Sequence, residues 1–263
     1  MTMNDFATVN YSVHNRVATI RLNRPKAMNS FTSQMRKDLQ AAVDRANSDT
    51  DVRVVVLGGE GRAFCAGADL TEDFHPEFAT VEAQIKDSYK PLLLAIHNSE
   101  KLFIASVKGA AAGAGCALAL TCDLVIMAEN AYLYQAFSAI ALVPDCGASW
   151  HFVNQLGSKR ALQMIVEAEK LPAASCLELG FANRVEAVDE LDAATQAWAE
   201  KLASGAPLAQ RYIKQIVNRV PQMSLAQTID LEAELQNETI ASKDFVEGTT
   251  AFFAKRPARF TGE

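Results

Sequence analysis

The apolar positions of this chain change period along its length, and each change predicts an element. "VNYSVHNRVATIRLNRP" predicts two strands with a turn at His14-Asn15, the second alternating Ala18, Ile20 and Leu22 against Val17, Thr19 and Arg21. "SFTSQMRKDLQAAVDRANSD" switches to helical spacing, with Phe31, Met35, Leu39, Ala42 and Val43 on one face. "VRVVVLGG" is short and wholly apolar, the pattern of a strand covered on both sides. "KLFIASVKG" and "DLVIMAE" repeat it, and strand–turn–helix units recur through residues 52–170, which predicts an α/β fold. After residue 188 the pattern becomes helical in "DELDAATQAWAEKLAS", "PLAQRYIKQIVNRV", "SLAQTIDLEAELQNETIAS" and "DFVEGTTAFFAKR". Several of these helices carry apolar faces too broad to be left in water, so they are expected to pack on the core, on another subunit, or on both. The expected organisation is a core over 1–188 and a helical region over 189–263.

Composition narrows the classes. A chain of 263 residues is long enough for one large, well-buried core. A net charge of -6 argues against binding nucleic acid through bulk charge. The start, "MTMNDFATVN", lacks the basic and apolar regions of a secretory signal, and the longest small-and-apolar run, "GAAAGAGCALAL", is too short and glycine-rich to span a bilayer. No membrane partner is expected. Cys65, Cys116, Cys122, Cys146 and Cys176 form no CxxC pair and sit beside small residues, which suits buried, reduced thiols in the cytoplasm. His14, His75, His97 and His151 have no metal-site spacing, and no metal is expected.

Two glycine-rich stretches carry the candidate chemistry: "GRAFCAGADL" (61–70) and "GAAAGAGCALAL" (109–120). The second lacks the last glycine of a dinucleotide fingerprint and the Gly-Lys-Ser/Thr of a phosphate loop. Close helix–strand packing would also explain the glycines. Small residues further let backbone N–H groups approach a ligand. Two such turns can aim two donors at one oxygen, as in an oxyanion hole, where each donor is worth roughly 3–4 kcal/mol in the transition state. A helix opening at the second turn would add its positive end.

Together with "LNRPKAMNSF", "LVPDCGASWHFVNQLG" and "FVEGTTAFFAKRPARF", these stretches resemble the crotonase superfamily, the enoyl-CoA hydratase/isomerase family, in the right order over essentially the whole chain. The resemblance implies a spiral of ββα units with a C-terminal helical region, assembled as a homotrimer or as a hexamer of two trimers. It implies acyl-CoA thioester substrates, with coenzyme A arriving as part of the substrate and no permanently bound cofactor. It puts the oxyanion donors at the amides of Ala68 and Ala114, where alanine suffices because the donor is main chain. Ala66 would meet the adenine through its backbone, and Lys26 and Ala27 would line the CoA path. Phe252 and Lys255 would reach CoA from the last helix, commonly that of a neighbouring subunit, while Arg256 is expected to be a solvated helix end.

The carboxylates decide the reaction, because the fold alone serves many. Hydratases of this family divide proton work between two glutamates, and those positions here are Ala117 and Phe137. Asp145 instead falls where a subset of the isomerases carry an acid. One base moves a double bond by taking a proton from one end of a conjugated enolate and returning it to the other. Phe137 and Ile140–Val143 would wall the pocket against water, and burial would make Asp145 a stronger base. Its local sequence equally suits a helix N-cap.

The expected activity is therefore an isomerase moving a Δ3 double bond to Δ2, or a related allylic or ring shift. "LVPDCGASW" further resembles the ring-isomerising branch of phenylacetate degradation. The alternatives are a hydratase with another base, such as Glu77 or His151, and a non-catalytic acyl-CoA binder. Asp69 and Asp123 are expected to anchor loops, and Glu72, Asp73, His75 and Glu77 to form a solvated cluster.

Overall fold

The computed structural model describes residues 6–72 and 78–263. Strands β1 (Val9–His14) and β2 (Val17–Leu22) pair antiparallel around Asn15 and Arg16, both in the left-handed region at φ 49° and 64°. That turn sits one residue later than the sequence suggests, and two positive φ values match the right-handed twist of the hairpin. Ala18, Ile20 and Leu22 point into the core, as their alternation predicts.

The chain then winds through parallel strands. These are β3 (Val54–Gly59), β4 (Leu102–Val107), β6 (Leu124–Ala128) and β9 (Arg184–Glu186), in a six-stranded sheet of order β1-β2-β3-β4-β6-β9. A second sheet of three short strands holds β5 (Ala110–Ala112), β7 (Tyr132–Tyr134) and β8 (Lys170–Pro172) in the order β5-β7-β8. Every strand of the large sheet after β2 is parallel to its neighbour, so each connection must cross over. The crossovers are α1 (Ser33–Ser48); α2 (Val81–Gln84), a π-helical turn over Ile85–Tyr89 and α3 (Lys90–His97); and α4 (Ala114–Thr121). Helices α5 (Ala148–Leu156), α6 (Ser158–Glu167) and α7 (Ala173–Glu178) complete the path to β9.

The alanines 110–112 form β5 rather than part of a turn, because they pair with β7 on one side and bridge Cys65 on the other. Helix α4 follows directly. Its residues 114–119 are all buried, so the helix is apolar around its circumference and stands inside the core.

The helical region starts with α8 (Leu191–Ala203), which packs on β3, β4 and β6 and buries Leu191, Trp198 and Ala199 in the main core. Helices α9 (Pro207–Arg219) and α10 (Leu225–Ile240) build a small cluster of their own around Tyr212, Leu231 and Leu235, and α11 (Lys243–Phe253) packs on α10. The change in packing thus comes one helix after the change in composition at residue 188. All five cysteines are buried and unpaired. Among the described residues, no helix is long and apolar enough to cross a membrane.

Candidate active site

The two glycine-rich stretches meet. The amide of Phe31 donates to Gly67 O at 2.8 Å and the amide of Asp69 to Phe31 O at 3.0 Å, a parallel bridge around Ala68. In such a bridge the intervening residue turns its own N–H the other way. Ala114 is the first residue of α4, where helix geometry leaves N–H groups free. Among the described residues, neither amide donates to a protein acceptor. Gly67 sits at φ 96°, and a Cβ there would lie 2.9 Å from Ala112 O and 3.6 Å from the Ala114 nitrogen. At Gly115 a Cβ would come within 2.4 Å of Cys65 O. Both glycines are required for this approach. The pair of free amides is held together at the positive end of α4.

Side chains anchor the first turn. Asp69 accepts from Arg24 at 2.9 Å, Ser30 at 3.2 Å and the Thr71 hydroxyl at 2.7 Å. The Thr71 and then the Arg24 hydrogen bonds hold its carboxyl down at about 2. Asn29, at φ 56°, donates to Glu60 O and Ala63 O at 2.9 and 2.8 Å. The amide of Ala66 reaches Met28 O at 3.0 Å, which sets Ala66 beside the turn bearing exposed Lys26 and half-buried Ala27. Glu72 accepts from the Ser33 amide at 2.9 Å and so caps α1 rather than lying free in solvent. Asp73, His75 and Glu77 lie outside the described residues.

Phe137 lines the amide pair: its Cζ is 3.8 Å from where a Cβ on Gly113 would be. Asp145 sits just before α5, which packs on α4. It is not the cap of α5. Gly147 holds that place without a side-chain bond, and Asp145 contributes only its backbone carbonyl, to the Ala148 amide at 3.0 Å. Cys146 and Gly147 both take positive φ (53° and 80°) ahead of the helix. Its Oδ1 is buried with no hydrogen-bond partner. Burial raises the Asp145 pKa, opposed by a hydrogen bond from the Cys146 thiol.

Sequence reasoning missed Arg36. It lies on the buried face of α1, 2 % exposed, where helical spacing alone gives no sign of a charge in the core. His151 is excluded as a base at the amide pair. It bonds Thr121 Oγ1 at 3.2 Å, at the far end of α4 from Ala114 and about 10 Å along the axis. Asp123 accepts from the Phe103 amide at 2.8 Å and Lys214 at 2.9 Å, an anchor as expected. On α11, Phe252 and Phe253 project into solvent at 78 and 82 % exposure, while Arg256 forms a two-pronged pair with Glu247 at 2.7 and 2.8 Å.

Residues 12–263 match the family profile described as enoyl-CoA hydratase/isomerase. The chain belongs to the enoyl-CoA hydratase/isomerase family. It is 40 % identical to a Rhodobacter capsulatus protein named probable enoyl-CoA hydratase, over 98 % of this chain and 99 % of the relative. It is 35 % identical to the 1,2-epoxyphenylacetyl-CoA isomerase of Escherichia coli, over 95 % and 97 %. The solved enoyl-CoA hydratase of Bacillus anthracis superposes with a TM-score of 0.89 at 30 % identity, covering 98 % of this chain and all of that one. The fold is the crotonase fold, the α/β spiral with a C-terminal helical region. Membership makes this an enzyme scaffold for CoA thioesters and leaves the hydratase or isomerase choice to the side chains.

Proposed function

We propose that the protein is an acyl-CoA isomerase that moves a double bond from Δ3 to Δ2, or performs the equivalent allylic or ring shift. The amides of Ala68 and Ala114 donate to the thioester oxygen and stabilise the enolate formed when a proton leaves C2. Asp145 takes that proton on its unpartnered oxygen and returns it to C4, so the base is regenerated and no atom is gained or lost. The observation that carries the reading is the Asp145 Oδ1, buried with no protein partner, in a chain with Ala117 and Phe137 where two glutamates would serve a hydratase. An aromatic wall at Phe137 further disfavours a held water.

Coenzyme A enters with the substrate. Lys26, Ala27 and the Ala66 backbone are proposed to line its path, with Phe252 and Lys255 reaching it from a neighbouring subunit of a trimer or hexamer. The exposed phenylalanines of α11 support such a neighbour. Among these substrates the name of the Escherichia coli relative favours an acyl group bearing a ring.

The test is deuterium uptake at C2 and C4 of 3-hexenoyl-CoA in heavy water. Asp145→Asn should slow it by about 10²–10⁴-fold, the range for loss of a positioned general base, with CoA-ester binding nearly intact. Near-native exchange in that variant sinks the reading. The hydratase reading has the name of the Rhodobacter relative on its side. It is selected if the native protein adds water to crotonyl-CoA faster than it exchanges deuterium into 3-hexenoyl-CoA.

A further inference from the structure

Among the described residues, Arg36 is a buried cation without a counter-ion. Its Nε donates to Ser88 Oγ at 2.9 Å and its Nη1 reaches the Tyr89 hydroxyl at 3.4 Å, while Nη2 is buried and meets no acceptor. The guanidinium lies over the Tyr89 ring at 4.8 Å. Among the described residues no carboxylate pairs with it. Removing a charge from water without a partner is expensive, and arginine keeps its charge throughout the working range of proteins. A donor left over in such a place is expected to meet an acceptor that the chain itself does not supply.

The surroundings say where that acceptor would come from. Tyr89 stacks edge-on against Phe31 with centroids 5.7 Å apart, and Phe31 is the residue bridged to Ala68. On the other side the Arg36 charge is felt by the Cys146 thiol, next to Asp145. Phe31, Tyr89 and Arg36 therefore lie in ring-to-ring and cation-to-ring contact, starting from the residue bridged to Ala68. Ser88 and Tyr89 belong to the π-helical turn, a local irregularity that proteins concentrate at functional sites.

We propose that Arg36 is a specificity-determining residue of the acyl pocket, donating through Nη2 to an oxygen that the acyl group carries away from its thioester. The class of substrate is an oxygen-bearing acyl-CoA, in which that oxygen is neutral, as in an epoxide or hydroxyl, or is a carboxylate. The inference rests on the reading of Ala68 and Ala114 as the thioester site, and its test does not require turnover.

The measurement is the dissociation constant of four unreactive thioesters for the native protein and for Arg36→Met, which keeps side-chain bulk. Phenylacetyl-CoA against 3-hydroxyphenylacetyl-CoA probes a neutral oxygen, and pentanoyl-CoA against glutaryl-CoA probes a carboxylate. A charged donor to a buried acceptor should favour the oxygen-bearing member of at least one pair by about tenfold or more in the native protein. That ratio should collapse toward one in Arg36→Met. The pair that responds identifies the oxygen as neutral or anionic. A native protein with no preference in either pair, or a variant that keeps it, overturns the proposal. Equal losses on both members of a pair also overturn it, because they mark a structural role. Thermal melting checks the fold of the variant, and Arg36→Gln replaces it if Met does not fold. Since deuterium exchange reads Asp145 and these ratios read Arg36, either proposal can fail without the other.

Discussion

Asp69 follows the first glycine-rich turn and Asp145 precedes α5, which packs on α4, and the chain treats the two acids in opposite ways. Asp69 is met by an arginine, two hydroxyls and a backbone amide, and its carboxyl is held down at about 2. Asp145 has a buried oxygen with no partner, and burial pushes its carboxyl above the ordinary range. A carboxylate saturated with donors is a weak base that fixes a loop. One buried with an oxygen left unpartnered is poised to take a proton. The difference lies in what surrounds each acid rather than in the acid.

That contrast breaks most visibly in catalysis. Asp145→Asn should remove deuterium exchange while leaving the fold as stable as before or more so. A carboxyl whose folded pKa is raised favours the folded state below its unfolded pKa, and that contribution is lost as the pH rises through the folded value. Once ionised, Asp145 therefore costs stability, and the amide removes the cost. Urea unfolding of the variant at pH 7 checks the sign. The same raised value should place the acid limb of the native kcat/KM profile above pH 3.8, the ordinary carboxyl position.

An anchoring acid should behave in the reverse way. Asp123 is held by Lys214 and the Phe103 amide, with the lysine side chain only 5 % exposed. Asp123→Ala leaves that ammonium with two backbone carbonyls, of Ile96 and Lys101, and no counter-charge. The expected loss is about 3 kcal/mol of unfolding free energy, from breaking a buried pair, read as a lower urea midpoint with an unchanged slope. Loss of exchange activity in a variant that kept its stability would instead make Asp123 part of the chemistry.

A smaller effect tests the meeting of the turns. Gly115→Ala puts a Cβ at 2.4 Å from Cys65 O, a contact no real methyl tolerates. Separating α4 from the first turn should cost about 1–3 kcal/mol of stability. It should lower kcat more than CoA-ester affinity, since only the spacing of the two amides changes. An alanine variant with native kcat would mean that the spacing is not critical.

Much of this arrangement was legible beforehand because it is carried by main chain and period. The alternation in β2, the wholly apolar β3 and the helical face of α1 each report burial directly. Glycines at 67 and 115 mark close approach, which composition registers. What stayed illegible depends on side chains meeting across long sequence separations. Arg36 looks like an ordinary helix charge until Ser88 and Tyr89 are folded over it. Asp145 next to a proline and a helix start looks like a cap until Cys146 and Gly147 take left-handed φ.

The two ends of α4 sharpen the comparison last. The Ala114 end offers free amides among apolar walls, whereas the Thr121 end is polar and gathers His151, Trp150 and His97, with ring centroids 5.0 and 5.9 Å from the tryptophan. Burial, then the charge of His97, lowers the His151 pKa from 6.5 to about 4. The unfolded chain therefore binds a proton at His151 that the folded chain refuses. Stability from this site is complete above pH 6.5 and is lost as the pH falls toward 4, by at most about 3 kcal/mol. His151→Gln keeps a partner for Thr121 and should flatten unfolding free energy across that window while leaving the acid limb of catalysis where Asp145 sets it. If the variant instead moves that limb, the polar end of α4 is coupled to the amide end, and the separation of anchor from chemistry along this helix fails.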